Sequence, residues 1–248
     1  MKHFIRYIYR IPWIGMGARR FMESRLGKRY YQDATFWNES LTGWASSYVG
    51  GTLSIDLRNS ITILLAKQLA PAATSMLDLG CAGATLALCL GPEFKTYCGV
   101  DISDVVVSKA KELLASSPLR NTALHYNLTA SPVQDFKPPQ PFDLIVFNEV
   151  LYYLGLSQVK DVIDKYSCFL APGGLILISL KDDELSRLVF TLAAKKLKFE
   201  DAVLYQEKPQ RPGWKTARNR ENPASLVSAF RVISARRSVA GEKGPEKP

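Results

Sequence analysis

The chain has 248 residues, 47% of them hydrophobic, and a formal net charge of +9. That length supports one domain with a substantial core plus flanking elements, and leaves too little for two. Four cysteines without a CxxC pair and only two histidines, His3 and His125, argue against a disulfide framework or a metal centre and favour a reducing, cytoplasmic compartment. The apolar runs fall short of the roughly 20 residues that cross a bilayer.

Charge is unevenly placed. Residues 1–30 hold eight basic side chains against Glu23 alone, a balance of +7, whereas residues 31–180 come to −4 and residues 181–248 to +6. A mildly acidic centre therefore carries two basic arms, which suit an anionic membrane surface, an acidic glycan or nucleic acid. The first arm mixes Phe4, Ile5, Tyr7 and Ile8 with arginines until Pro12 interrupts it, and a second basic helix is expected from about Ala18 to Tyr31. Either helix could lie on anionic lipid or pack on the domain, and both readings stay open. No uninterrupted apolar stretch follows Lys2, so a signal peptide fits poorly.

Residues 30–51 are crowded with Tyr30, Tyr31, Phe36, Trp37, Trp44 and Tyr48, a density that suits a lid or an ordinary packed cap. Ile55 to Leu69 then reads as an amphipathic helix capped by Ser54, with Leu57, Ile61, Leu64, Leu65 and Leu69 as its inward face and Arg58 in solvent. From Ser75 strands and helices alternate. Strands are expected at Ser75–Leu79, Thr96–Val100, Ala123–Asn127, Phe142–Asn148 and Leu175–Leu180. The intervening helices are Thr85–Leu90, a Ser103-capped helix to Ala115, and Ser157 to about Leu170. That alternation predicts an α/β, doubly wound, Rossmann-like parallel sheet with ligand sites at the carboxyl ends of its strands. A helix over Asp183–Leu197 and a hairpin of Ala202–Tyr205 with Leu226–Val232 complete a seven-stranded sheet whose sixth and seventh strands are antiparallel. The hairpin's long connection is Pro209–Asn222. The expected organisation is a basic, aromatic cap over residues 1–53, the sheet domain over 54–238, and a disordered tail over 239–248.

The densest chemical signal is Ser75-Met-Leu-Asp-Leu-Gly-Cys-Ala-Gly-Ala84, an apolar strand running into a turn of small residues. Twenty-one positions after Gly80 a second strand ends in Asp101, where a carboxylate can accept from both ribose hydroxyls. The pair describes a site for an adenosine-containing ligand. Together with Phe142-Asp-Leu-Ile-Val-Phe-Asn148 and Leu170-Ala-Pro-Gly-Gly174, these segments resemble the ordered motifs of the class I S-adenosylmethionine-dependent methyltransferases. The loop and Glu149-Val-Leu-Tyr-Tyr-Leu154 are most similar to the nodulation-type N-methyltransferases, which act on amino groups of chitin-like oligosaccharides. The resemblance covers about residues 75–180.

It implies S-adenosylmethionine as cofactor. Asp78 and the loop Gly80, Cys81, Ala82 and Gly83 would contact its amino-acid part, Asp101 its ribose and Ile102 one face of its adenine. Ser131 stands where an acidic residue usually meets the adenine amino group, and the Asn148 backbone carbonyl would meet the cofactor ammonium. Glu149, Tyr152 and Tyr153 would face the acceptor as catalytic candidates, with Asp182 and Asp183 either further candidates or helix-capping charges. Ala82 and Ala84 replace glycines of the common pattern, and a methyl at Ala82 is expected to crowd the methionine part. An amine needs only deprotonation to become nucleophilic, whereas an alcohol usually needs a histidine or a metal, which favours N-methylation of a small-molecule or saccharide acceptor. Two alternatives remain: a methyltransferase acting on nucleic acid or protein, and a nonenzymatic cofactor-binding scaffold. Nucleic acid is disfavoured because Asn148-Glu-Val-Leu151 differs from the Asn-Pro-Pro-Tyr motif of enzymes that methylate base nitrogens.

Overall fold

The structure, a computed structural model, describes residues 33–38, 57–117, 121–182, 184–205 and 225–232. Outside them lie the helices expected in residues 1–31, Tyr30, Tyr31, Trp44, Tyr48, the expected Ser54 cap, Asp183, the expected 209–222 connection and the tail. A seven-stranded sheet forms from β1 (Ser75–Leu79), β2 (Thr96–Asp101), β3 (His125–Ala130), β4 (Phe142–Asn148), β5 (Leu170–Lys181), β6 (Leu197–Tyr205) and β7 (Ser225–Val232). Its order is β3-β2-β1-β4-β5-β7-β6. The first five strands are parallel, and β7 runs antiparallel to both β5 and β6. The chain therefore turns from one wing of the sheet to the other between β1 and β4, and opens a crevice at their carboxyl ends.

Central strands covered on both faces must be apolar on both, which is why β1 and β4 read as continuous runs. One face packs Met76, Tyr97, Leu144, Val146 and Leu177 beneath α1 (Leu57–Leu69) and α2 (Asp104–Ser116). The other packs Leu77, Val100, Ile145, Phe147 and Ile178 beneath α3 (Leu156–Ser167) and α4 (Glu184–Ala194). Ser103 caps α2 as expected, its hydroxyl accepting from the Val106 amide at 3.2 Å.

Several local expectations are corrected. Thr85–Cys89 is a 3-10 helix rather than an α-helix. Strand β3 begins at His125, two residues later than expected, and runs to Ala130, with its first three side chains exposed. Strand β5 begins at Leu170, five residues early, because Pro172 and Gly173 are absorbed by a register shift opposite Phe142 and Leu144 instead of ending a helix. Helix α4 ends at Ala194, and Leu197 already belongs to β6.

Helix α1 departs most. Its buried residues are Asn59, Thr62, Ile63, Leu65 and Ala66, while Leu57 and Leu64 are 48% and 66% exposed. Leu65 is inward and Ile61 and Leu69 pack on the core as expected, but the helix is rotated enough that Asn59 and Thr62 also face the sheet. Its carboxyl end is held by Arg231 of β7, which donates to the Leu69 carbonyl at 2.6 Å, a favourable place for a cation.

At the amino ends of β1 and β4, Asp143 Oδ2 accepts from the Thr74 amide (2.9 Å), the Ser75 amide (3.0 Å) and the Ser75 hydroxyl (2.8 Å). Burial alone would raise its pKa, but these bonds outweigh burial and hold it below the usual carboxylate value. A depressed pKa contributes stability above the unfolded value and loses it as pH falls through the folded one. Replacing Asp143 by Ala is expected to cost about 2 kcal/mol at pH 7. Urea unfolding should show that difference shrinking below about pH 4.

Candidate functional site

The crevice is lined by the turns after β1 and β4. Gly80 has φ +79°, and a Cβ there would meet Val150 Cβ at 2.7 Å, so both the backbone and the neighbouring turn require glycine. Ala82 (φ +45°) and Ala84 (φ +52°) also take the left-handed conformation. Ala82 therefore bears its cost as backbone strain as well as added bulk. Gly83 has no such φ, and among the described residues a Cβ there would meet only Thr85 Cγ2, at 3.9 Å, so they leave the space over it open. Glu149, the first residue past β4, has φ +56°. Among the described residues these three are the only non-glycines with positive φ, and all sit at this crevice.

Asp101, buried at the end of β2, ties the loop down. Its Oδ2 accepts from the Ala82 amide and its Oδ1 from the Ser103 amide, both at 3.0 Å. Burial raises its pKa, and these amide bonds oppose the rise. A carboxylate offers about four acceptor positions, so room is left for further donors. Asp78, buried in β1, accepts the Tyr97 hydroxyl on Oδ2 at 2.6 Å, while its Oδ1 has no hydrogen-bond partner among the described residues. Burial pushes its pKa up to about 7; the Tyr97 bond lowers it, and the nearby Asp101 raises it. Burial likewise pushes the neighbouring Cys81 and Cys98 thiols up, so both stay protonated.

Across the crevice Glu149 gathers a small cluster. Its Oε2 accepts the Tyr152 hydroxyl at 2.8 Å, and its Oε1 lies 3.6 Å from Arg58 Nη1. The expectation of a solvated Arg58 is thereby corrected: its side chain is 24% exposed and points to the carboxylate. Burial, then Tyr153 and Glu149, raise the Tyr152 pKa, and burial foremost raises that of Tyr153, so both remain neutral phenols. Beneath them Asn59 of α1 donates to Thr85 Oγ1 at 2.9 Å and accepts from Asn148 Nδ2 at 3.1 Å. Asn148 is thus fixed through its side chain, and its own Oδ1 is buried without a partner among the described residues.

A helical segment over residues 34–38 spans the same opening. Asn38 donates to Asp104 Oδ1 at 2.7 Å and accepts the Ser103 hydroxyl at 2.6 Å. Trp37 stands edge-on to Tyr153, ring centroids 4.9 Å apart. Residues 34–38 of the aromatic segment are therefore a wall of the site.

The structure brings together Asp78, Gly80, Cys81, Ala82, Gly83 and Asp101 on one side, and Asn148, Glu149, Tyr152 and Tyr153 on the other. Ile102, partly exposed, stands beside Asp101. Ser131 follows β3, its amide on the Asp101 carbonyl at 2.8 Å, but its hydroxyl turns to the Pro132 carbonyl at 3.2 Å. Asp182 is a partly exposed partner of the exposed Arg187. Sequence reasoning missed the roles of Tyr97 and Asn59 and underweighted Arg58. Asn38 carried one signal, its place in the aromatic segment.

Residues 77–176 match the methyltransferase domain family. That match runs from β1 into β5 and takes in the Gly80–Gly83 loop, Asp101 and Glu149. It is 30% identical over 132 residues to nodulation protein S of Rhizobium tropici, covering 52% of each chain. The chain thus spans about half the length of the curated relatives it matches first. The methyltransferase fold is shared with N-methyltransferase NodS of Bradyrhizobium japonicum WM9 in complex with S-adenosyl-L-homocysteine. That likeness has a TM-score of 0.57 at 24% identity, over 71% of this chain and 85% of that one. The fold is shared equally with magnesium protoporphyrin IX methyltransferase of Synechocystis PCC 6803, TM-score 0.57 at 12% identity, over 79% and 94%.

The strained loop of this methyltransferase domain has a direct consequence. Ala82→Gly removes the left-handed penalty at a partly exposed methyl and is expected to stabilise by roughly 0.5–1 kcal/mol, net of the freedom glycine adds to the unfolded chain. Ala84→Gly should gain nothing, since its fully buried methyl is lost from the core. Chemical denaturation of the two variants measures both.

Proposed function

We propose that this chain transfers a methyl group from S-adenosylmethionine to an amino group of a saccharide or other small-molecule acceptor. One observation carries the reading. The left-handed loop and Asp101 form one cradle at the sheet's switch point, and the crevice they share faces the carboxylate of Glu149. The residues present fit the cofactor: the open space over Gly83 admits its methionine part, Asp78 Oδ1 is an acceptor left over for an ammonium, and Asp101 keeps acceptor positions for two hydroxyls. The bound S-adenosylhomocysteine of the NodS structure supports the same class of ligand.

S-adenosylmethionine, when bound, supplies a methyl group already activated by the sulfonium charge. Positioning by the protein then accounts for much of the rate. Glu149 gives an incoming ammonium a counter-charge and accepts its proton, while Tyr152 holds the carboxylate by its hydroxyl. The faces of Tyr152 and Tyr153 suit a cation or the apolar face of a sugar ring. Ile102 is placed to cover adenine, and Ser131 offers backbone as much as its hydroxyl to the adenine edge. An alcohol acceptor would need a stronger base, and His125 lies at the opposite end of β3 from Ser131. The basic flanks of the chain suit an anionic surface or an acidic glycan near the acceptor, in the cytoplasm or at its membrane face.

Calorimetric titration tests the cofactor half. S-adenosylmethionine and S-adenosylhomocysteine should bind in the micromolar range, NAD should not, and Asp101→Ala should abolish binding in a protein that still unfolds cooperatively. Retained binding in that variant would overturn the ribose assignment. In an acceptor screen begun with amino sugars, Glu149→Gln should lower turnover by about 100-fold with S-adenosylhomocysteine affinity unchanged.

A further inference from the structure

Strand β2 carries a tyrosine whose position no element of the loop requires. Tyr97 pairs with Met76 of β1, and Gly99, two residues on, pairs with Asp78. Residues two apart on a strand share a face, so Tyr97 reaches Asp78 only by passing over position 99. Glycine leaves room there for three neighbours at once: a Cβ on Gly99 would lie 2.6 Å from Leu128 Cδ2, 2.9 Å from Cys81 Sγ and 3.1 Å from Tyr97 Cε1. The phenol arrives 2.6 Å from Asp78 Oδ2 with both residues essentially buried, and it occupies one oxygen of the carboxylate.

We propose that Tyr97 is a positioning residue for the cofactor: its hydroxyl fixes the Asp78 carboxylate and supports its charged form, leaving Oδ1 to receive the cofactor ammonium. The inference rests on the cofactor reading above and assigns a role to a residue on the strand behind the loop. Its consequence is proton-linked binding. Burial holds Asp78 near a pKa of about 7, and the Tyr97 bond is the contribution that lowers it. The other titratable groups around Asp78 are Asp101, Cys81 and Cys98; the first opposes its charge, and the thiols remain neutral. Tyr97 itself is held well above its usual pKa, first by burial and then by Asp78, so it stays a donor over the working range. An ammonium on Oδ1 favours the carboxylate, so binding below neutral pH expels a proton from Asp78 to the buffer.

The test compares Tyr97→Phe with the wild type, using S-adenosylhomocysteine as the probe from pH 6 to 8.5. The ratio of the two dissociation constants cancels the ligand's own titration. It should be close to one at pH 8.5 and rise to about tenfold at pH 6, the size of a one-unit upward shift of Asp78. A ratio constant across the range, whether near one or uniformly raised, would overturn the proposal, since packing alone has no pH dependence here. Wild-type calorimetry in two buffers of different ionisation enthalpy provides a check that does not depend on the variant folding. Proton release at pH 6 is expected, and none would overturn the proposal. If the wild type binds no S-adenosylhomocysteine at any pH, the cofactor reading itself fails; if binding is present and lost in Asp101→Ala while the ratio stays flat, only the role of Tyr97 falls.

Discussion

Asp78 lies at the carboxyl end of a strand hydrogen-bonded to β2 on one side and β4 on the other, under helices on both faces of the sheet. Such a place admits a carboxylate only with partners or with its charge suppressed, because an ionised group loses most of its hydration there. Tyr97 supplies one partner, and the remaining cost appears as a pKa of about 7. The sign follows from linkage. A carboxyl whose folded pKa lies above its unfolded value contributes stability at low pH and loses it as pH rises towards 7. The form that serves an ammonium ligand is thus the form the empty fold tolerates least, and a bound cation would relieve the conflict. The loop after β1, its tie to Asp101 and the facing turn after β4 are all arranged around that one buried acid.

Backbone strain is concentrated in the same place. Ala82, Ala84 and Glu149 occupy left-handed conformations that cost L-residues roughly 1–2 kcal/mol each. They are held there by specific bonds: the Ala82 amide on Asp101, the Ala84 amide on the Cys81 carbonyl, and the Glu149 amide on the Ser179 carbonyl. The two alanines keep the path that glycines would take freely, so the cradle's shape survives the substitution at an energetic cost. The strain at Glu149 has a different result. It turns the chain abruptly out of β4 and leads it into the short helix Leu151–Tyr153, so that Glu149 and Tyr152 meet over the crevice.

The sheet was legible because its signals are local. Continuous apolar runs marked β1 and β4, Ser103 marked the start of α2, and the interval from Gly80 to Asp101 placed the two halves of the cradle. What the sequence concealed depends on contacts between distant segments. The apolar stripe of Leu57, Ile61, Leu64, Leu65 and Leu69 suggested the inward face of α1; Ile61, Leu65 and Leu69 do pack on the core, but Leu57 and Leu64 are exposed and Asn59 and Thr62 are buried, Asn59 bonding to Thr85 and Asn148 across the site. That rotation also brings Arg58 to Glu149, which periodicity alone assigned to solvent. Pro172 and Gly173 looked like a terminating turn, but β5 passes through them. A Cβ on Gly174 would lie 2.6 Å from the Asp143 carbonyl, so close approach to β4 explains that glycine, and a turn is not required. Tyr97 had no sequence signature, because a tyrosine in a strand ordinarily signifies packing.

Two contacts of unequal length bear on the Glu149 carboxylate. Its contact with Arg58, at 3.6 Å, is longer than a charge-assisted hydrogen bond, whereas the Tyr152 hydroxyl is at 2.8 Å. Tyr152 therefore holds the carboxylate more closely than Arg58 does. Trp37, edge-on to Tyr153 and anchored through Asn38 to Ser103 and Asp104, limits the room beside it. Since Ser103 also donates its amide to Asp101, a single short chain of bonds connects the cradle to the wall that confines the acceptor.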